Sequence, residues 1–436
     1  MPHRSRPTLL LILATLVCMQ PSLGKTLSDR SERALVAQVK SQQDASVALL
    51  EKVVNINSGT MNFAGVRAVG TVFEPQFQAL GFQTRWVEGA AFGRAGHLVA
   101  ERKGKGSHIL LIGHLDTVFE PDSPFQRFER VDENIARGPG TADMKGGIVV
   151  ALAALNALRQ VGALDRVQLT VVLHGDEEDS GAPLSAARAT LIEAAKAADI
   201  AIGLENAAND PGTAVTGRRS SGRWQITATG KTSHSSQVFT DEVGAGAIYE
   251  IARILNGFYT QLRGEELLTF NPGLVIGSTQ VEYVPEPLQG KASGKDNIVA
   301  PIAIASGDLR AITPEQIART QEKMRAIVAQ HLPQTSAEIT FDEGYPPMAP
   351  TPGNAKLLGL YDKVSQDLGF GPVTAVNPRR AGAADVSFAA DHVDMAIDGL
   401  GLLGGGSHTP TEFADLRTLQ IQAQRLAVLL YRLGKE

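Results

Sequence analysis

The stretch HILLIGHLD, residues 108–116, decides the fold. Ile109, Leu110, Leu111 and Ile112 run on without polar interruption, the pattern of a strand buried on both faces. Such strands belong to sheets with helices on either side. This one ends on His114 and Asp116, two groups that burial penalises unless something compensates them. Parallel sheets bind their ligands at the carboxyl ends of the strands. The question is what else arrives there.

Outward from this strand the pattern repeats. HLVAER (97–102), VQLTVVLHGDEE (167–178) and DIAIGLE (199–205) read as further strands. KGGIVVALAALNALRQVG (145–162), closed by Gly162, and PLSAARATLIEAAKA (183–197) read as helices between them. Upstream, Leu35, Val39, Val47, Leu50, Val53 and Val54 keep helical spacing over residues 31–57, and residues 68–81 form a second helix ended by Gly81. The expected class is α/β, a mostly parallel sheet flanked by helices.

Near residue 221 the texture changes. GRWQITATGKTSH (222–234) alternates as a half-exposed strand does, and a helix follows within residues 241–259. A second helix starts at Thr313 as N-cap, with Pro314 at its first position and Gln316 closing a capping box. AEITFDEG (337–344) is a last strand. Residues 221–345 therefore read as a compact α+β domain inserted into a larger α/β domain made of residues 25–220 and 346–436.

The chain has 436 residues, 43% hydrophobic and 20% charged, which suits two globular domains. The net charge of −5, without a basic run, argues against nucleic acid and against an anionic membrane surface as partners. Arg4 and Arg6 precede the apolar TLLLILATLV, and small residues surround Ser22 and Gly24. Residues 1–24 read as a signal peptide, which makes the protein exported, periplasmic or secreted. An uncleaved anchor is the alternative, and Val17 argues against lipidation at Cys18. Cys18 is the only cysteine, so the mature chain has no disulfide framework and no thiolate ligand.

At the strand ends stand His114 and Asp116, then Asp143 in RGPGTADMKGG (137–147), the run Asp176 to Asp179, Glu205, and His408 in LGLLGGGSHTPTEF (400–413). Such groups repel and desolvate one another unless a cation neutralises them. Without thiolates, imidazole and carboxylate are the ligands left for zinc. Two His and three carboxylates fit two metals sharing one carboxylate, an arrangement that activates a bridging water. Residues two apart in an extended segment face one side, so Asp116 can hold the second imidazole nitrogen of His114. Asp176 and Asp179 read as a solvated acidic turn.

GHLDTVF, GPGTADMKGG, GDEEDSG, GLEN and GGGSHTPTEF resemble, in order and spacing, the motifs of the di-zinc metallopeptidases and amidohydrolases that include glutamate carboxypeptidase of the carboxypeptidase G type, aminoacylase and acetylornithine deacetylase. The resemblance implies that His114, Asp143 and Glu205 hold one Zn2+ and that Asp143, Glu178 and His408 hold the other, with Co2+ a possible substitute. It makes Glu177 the general base and Asp116 the residue that orients His114. It implies a homodimer through the inserted lid domain, with His234 reaching the partner's active site. Asn297, Arg310 and Arg379 or Arg380 would contact substrate.

The family has an Arg where this chain has Tyr345, which puts a preference for C-terminal glutamate in question. The resemblance implies a metallo-exopeptidase acting on a small peptide. An N-acyl amino acid deacylase or a dipeptidase with the same metal site is the alternative. A metal-free binding protein on this fold is a third reading, disfavoured because every ligand position is filled.

Overall fold

The computed structural model describes residues 27, 29–206, 208 and 210–435. The expected signal peptide lies outside the described residues. Six strands form the central sheet in the order Gln83–Glu88, Gly96–Arg102, Gln168–His174, His108–His114, Ile200–Gly203, Met395–Ile397. The last four run parallel, and the first two form an antiparallel edge.

The apolar run explains why the sheet is covered twice. Ile109 and Leu111 point into a core shared with the helices Lys145–Gln160 and Leu416–Leu433. Leu110 and Ile112 point into a separate core on the opposite face, with Leu191, Ala195, Val386 and Ala389. All four are at most 2% exposed, and each such side chain contributes about 1.5–3 kcal/mol of burial.

Residues 221–345 form their own unit. Its antiparallel sheet has the order Thr269–Ser278, Ile302–Arg310, Ser221–Gly230, Thr335–Tyr345. The helices Ala247–Leu262 and Pro314–Val328 cover one face of this sheet, closing a core around Trp224, Ile226, Ile254, Phe258, Met324 and Ile327. Two paired segments join the units: Arg218 and Met348 exchange backbone hydrogen bonds at 2.9 Å, and Ser221 pairs with Tyr345.

Several local expectations shift. The helix expected over residues 31–57 is two helices, Arg30–Ser41 and Gln43–Val54, broken at Gln42. The edge strand Gln83–Glu88 was not anticipated, because Arg85 and Glu88 on an exposed edge dilute its apolar pattern. Thr313 does cap its helix, accepting from Gln316 N–H at 3.1 Å, but the Gln316 side chain reaches back to Ile312 N–H instead of to Thr313.

Candidate metal centre and active site

Strand register builds the site. His114 pairs with His174 across two parallel strands, so the loop after His174 emerges beside His114. Asp116 ties the two ends together. Its Oδ1 accepts the Glu177 N–H and its Oδ2 the Glu178 N–H, both at 3.1 Å, while Thr60 Oγ1 donates to Oδ2 at 2.7 Å. His114 Nδ1 lies 3.1 Å from the Asp116 carbonyl and 3.3 Å from Oδ1. An Nδ1–H facing Asp116 leaves the Nε2 lone pair free toward the site.

Asp143 stands at the centre. Its Oδ1 is 3.3 Å from His114 Nε2, and its Oδ2 is 3.2 Å from His408 Nε2. Glu205 Oε1 lies 3.3 Å from the same nitrogen of His114, and Glu178 Oε2 lies 3.0 Å from that of His408. The five side chains thus form two groups that share only Asp143. His114, Asp143 and Glu178 each offer a ligand atom, all within 4.8 Å of one another. His114 Nε2 is buried without a hydrogen-bond partner, although two carboxylate oxygens flank it. A cation between them would satisfy all three atoms, so these residues fit a metal.

The electrostatics agree. Burial pushes the Glu177 carboxyl well above its usual range, and the charges of Asp385, Glu205 and Glu178 add to this against the opposing effect of His114. Burial, then the charge of Asp143, push Glu205 up to about 7. Burial raises Glu178 too. On Asp143 burial acts in the same sense, but hydrogen bonds from His114 and His408 outweigh it and hold the carboxyl low. His408, bonded to Asp143 and Glu178, is pushed up to about 11. So many acids in one place need positive charge, from protons on imidazole or from metal.

Residues beyond the expected set hold the centre in shape. Glu412 accepts the N–H groups of Gly140, Ala142 and Asp143 at 3.1, 2.9 and 3.1 Å, fixing the loop that presents Asp143. It sits in the quoted GGGSHTPTEF, but nothing in its spacing marked it. Asp398 accepts the Glu205 N–H at 3.2 Å and pairs with Arg218 at 2.7 Å. His408 adopts φ +63°, a left-handed conformation uncommon for a non-glycine residue, though histidine tolerates it better than most.

A cavity of about 310 Å³ opens onto Asp143, Glu177, Glu205 and His408 and is walled by Val215, Arg218, Val376, Arg380 and Ala384. The two candidate arginines are both exposed; Arg380 lines the cavity and Arg379 lies outside the lining. His234, Asn297 and Arg310 also lie outside. His234 Nε2 is 3.5 Å from Asn297 Nδ2 on the surface of the second unit, and Arg310 pairs with Asp308 at 3.0 Å. A wider groove of about 840 Å³ runs past His108 and Gln168 at the other end of the strands and holds none of the site residues.

One reading of the acidic run is corrected. Asp176 is fully buried, not solvated, and is bound to Arg188 at 2.8 Å, while Asp179 is exposed and pairs with Arg94. Asp385 pairs with Arg188 at 2.7 Å and with His174.

The chain resembles known proteins in sequence and in fold. Residues 110–432 match the model of Peptidase family M20/M25/M40. Carboxypeptidase G2 of Pseudomonas sp. (strain RS-16) is 27% identical over 415 residues, 94% of each chain. A probable succinyl-diaminopimelate desuccinylase of Staphylococcus aureus (strain MRSA252) is 32% identical over 172 residues, 37% of this chain and 39% of its own. The solved structure of aminopeptidase PepT from Bacillus cereus superposes with a TM-score of 0.69 at 18% identity, covering 90% of this chain and 99% of that one. With its family match extending from the strand that ends on His114 into the terminal helix, the chain belongs to peptidase family M20/M25/M40 and is a metallohydrolase.

Proposed function

We propose that the protein is an exported, zinc-dependent metallo-exopeptidase of the carboxypeptidase type, cutting the amide bond next to a C-terminal amino acid. The observation that carries this reading is the shared carboxylate of Asp143, with an imidazole and a further carboxylate at each of its oxygens and Glu177 on the wall of the same cavity. Two imidazoles and three carboxylates, without a thiolate, suit a pair of zinc ions or their cobalt substitutes. What zinc supplies there when bound is Lewis acidity toward the scissile carbonyl and a lowered pKa of water.

The chain's own residues do the rest. Glu177 takes a proton from the attacking water and returns it to the leaving amine. Its raised proton affinity is the direction that a shuttle working near neutral pH needs. Asp116 holds the His114 ring and the Glu177 peptide in fixed relation. Arg218 is already paired with Asp398, whereas Arg380 has no carboxylate partner among the described residues. Arg380 is therefore the cation left to take a substrate carboxylate. The neighbouring Val215, Val376, Ala381 and Ala384 favour an apolar side chain over glutamate.

The likeness to the desuccinylase supports a second reading, an N-acyl amino acid deacylase on the same metals. Rates on a panel of C-terminal dipeptides, N-acetyl amino acids and pteroyl-glutamate separate the two. Faster cleavage of N-acetyl substrates than of dipeptides would overturn the first choice. Export rests on residues 1–24, and N-terminal sequencing of the mature protein should begin near Lys25.

We further infer a homodimer in which His234 and Asn297 serve the partner's cavity. Both are exposed, adjacent to each other, and outside their own cavity's lining. The same unit exposes Ile248 and Tyr259, 49% and 57% accessible on one helix. About three turns separate them, so they share a face.

A further inference from the structure

Tyr345 ends the strand Thr335–Tyr345 at the edge of the second unit's sheet, and its hydroxyl reaches into the catalytic unit. The phenol oxygen accepts from Arg188 Nη2 at 2.5 Å, lies 2.8 Å from Ser180 Oγ, and donates to the Glu177 carbonyl at 3.0 Å. Burial, reinforced by the charges of Asp385 and Glu177, keeps this phenol protonated far beyond its ordinary range, so the donor is always present.

The ring cannot swing away. Phe388 meets it edge-on with centroids 4.9 Å apart, and the Arg188 guanidinium lies 5.4 Å from its centre. Arg188 is itself fixed by Asp385 at 2.7 Å and Asp176 at 2.8 Å. The hydrogen bonds of Tyr345 reach none of the five metal-site side chains, so holding metal does not account for them.

The backbone of Glu177 is thus held from two sides. Asp116, at the end of a central strand, takes its N–H; Tyr345, at the end of the second unit's strand, takes its C=O. We infer that Tyr345 is a positioning residue through which the orientation of the inserted unit sets the place of the Glu177 carboxylate. This rests on the reading of Glu177 as general base. A base displaced by about 1 Å loses on the order of 100-fold in rate. An inserted unit out of position would therefore idle the site without disturbing its metals.

The test is Tyr345→Phe in the metal-loaded enzyme, alone and combined with Glu177→Gln. The single variant should lower kcat about 10- to 100-fold with KM within about twofold and metal content unchanged. In the Glu177→Gln background it should have no further effect, because the group it positions is gone. Ser180→Ala, which leaves the Glu177 bond intact, should retain most of the rate. Wild-type kcat in Tyr345→Phe, or an undiminished effect in the double variant, overturns the proposal. Wild-type turnover in Glu177→Gln alone would instead overturn the base assignment.

Should Tyr345→Phe not fold, hydrogen exchange of the wild-type holoenzyme with a phosphinate pseudodipeptide answers the same question. Amides 177–180 should gain protection together with those of Tyr345 and Met348, which flank two prolines. Protection of Tyr345 and Met348 alone contradicts the link.

Discussion

Asp116 grips the peptide that carries Glu177: its Oδ1 accepts the Glu177 N–H at 3.1 Å while lying 3.3 Å from His114 Nδ1. One fully buried carboxylate therefore sets both an imidazole of the metal centre and the backbone of the proposed base. Asp116→Asn replaces an acceptor by an NH2 that faces either a backbone N–H or the imidazole. We expect metal affinity to fall about 10- to 100-fold, read by competition with a chelator. Thr60→Ala removes only a hydroxyl partner of Asp116 and should cost about 1 kcal/mol of stability with metal retained. Wild-type affinity in Asp116→Asn would show that the carboxylate does not tune His114.

Glu177 and Asp143 line the same cavity but should fail differently. Glu177→Gln keeps size and hydrogen bonding yet cannot take a proton. It should hold metal at full stoichiometry and lose about 100- to 10,000-fold in kcat. Asp143→Ala removes the carboxylate common to both groups and should lose metal and turnover together. Elemental analysis beside single-turnover rates separates the outcomes, and a metal-free Glu177→Gln would make Glu177 a ligand.

The contrast between Glu177 and Glu412 shows what the sequence makes legible. Continuous apolar runs such as Ile109–Ile112 announce a sheet covered on both faces, and charged groups at their ends announce a site, because both patterns are local. The sharing of Asp143 was expected only through the family resemblance. Glu412, Arg188 and Asp385 act from 270, 12 and 197 residues away from partners they hold. Arg188 sits in what reads as an ordinary helix, and nothing near it tells that its guanidinium is buried among two carboxylates. Asp176 was misread for the same reason: its counter-ion is Arg188, at the junction of the two short helices Leu184–Ala187 and Ala189–Lys196, not a residue of its own turn. Long-range pairing of buried charge leaves no periodicity to read.

Removing the metals should destabilise the fold. Without cations the carboxylates of Asp143, Glu178 and Glu205 face one another with only His114 and His408 to offset them. A ligand at 100 times its Kd stabilises the native state by about 2.7 kcal/mol. Dialysis against a chelator should lower Tm by several degrees, and readdition of zinc should restore it. A Tm unchanged by chelation would argue that no metal is bound in the folded protein.

His97 sets an acid limit away from the metals. It is fully buried against Phe92 and His174, its Nε2 is 3.0 Å from the Ala187 carbonyl, and burial, then the charges of His174 and Arg188, pull it down to about 2 from an ordinary 6.5. The unfolded chain protonates this imidazole below pH 6.5 and the folded chain does not, so acid favours unfolding. Its contribution is present above pH 6.5 and is lost progressively as pH falls from there toward 2. Each unit can cost up to about 1.4 kcal/mol. In urea titrations His97→Gln should flatten the decline between neutral pH and pH 5. An equal slope in the variant would place the acid sensitivity elsewhere.

His234 supplies the test of subunit sharing. It stands on the inserted unit beside Asn297, outside the cavity of its own chain. If it completes the partner's site, a Glu177→Gln chain and a His234→Ala chain, each inactive as homodimers, should rescue one another. In the mixed dimer the chain with intact Glu177 receives an intact His234 from its partner, whereas the other site lacks both. Random pairing makes half the dimers mixed, each with one working site, so activity should return to about a quarter of wild type by symmetry. If His234 serves its own chain, no site in any dimer holds both residues and mixing restores nothing. Rates after co-refolding the two purified variants, followed against total protein concentration, distinguish these cases.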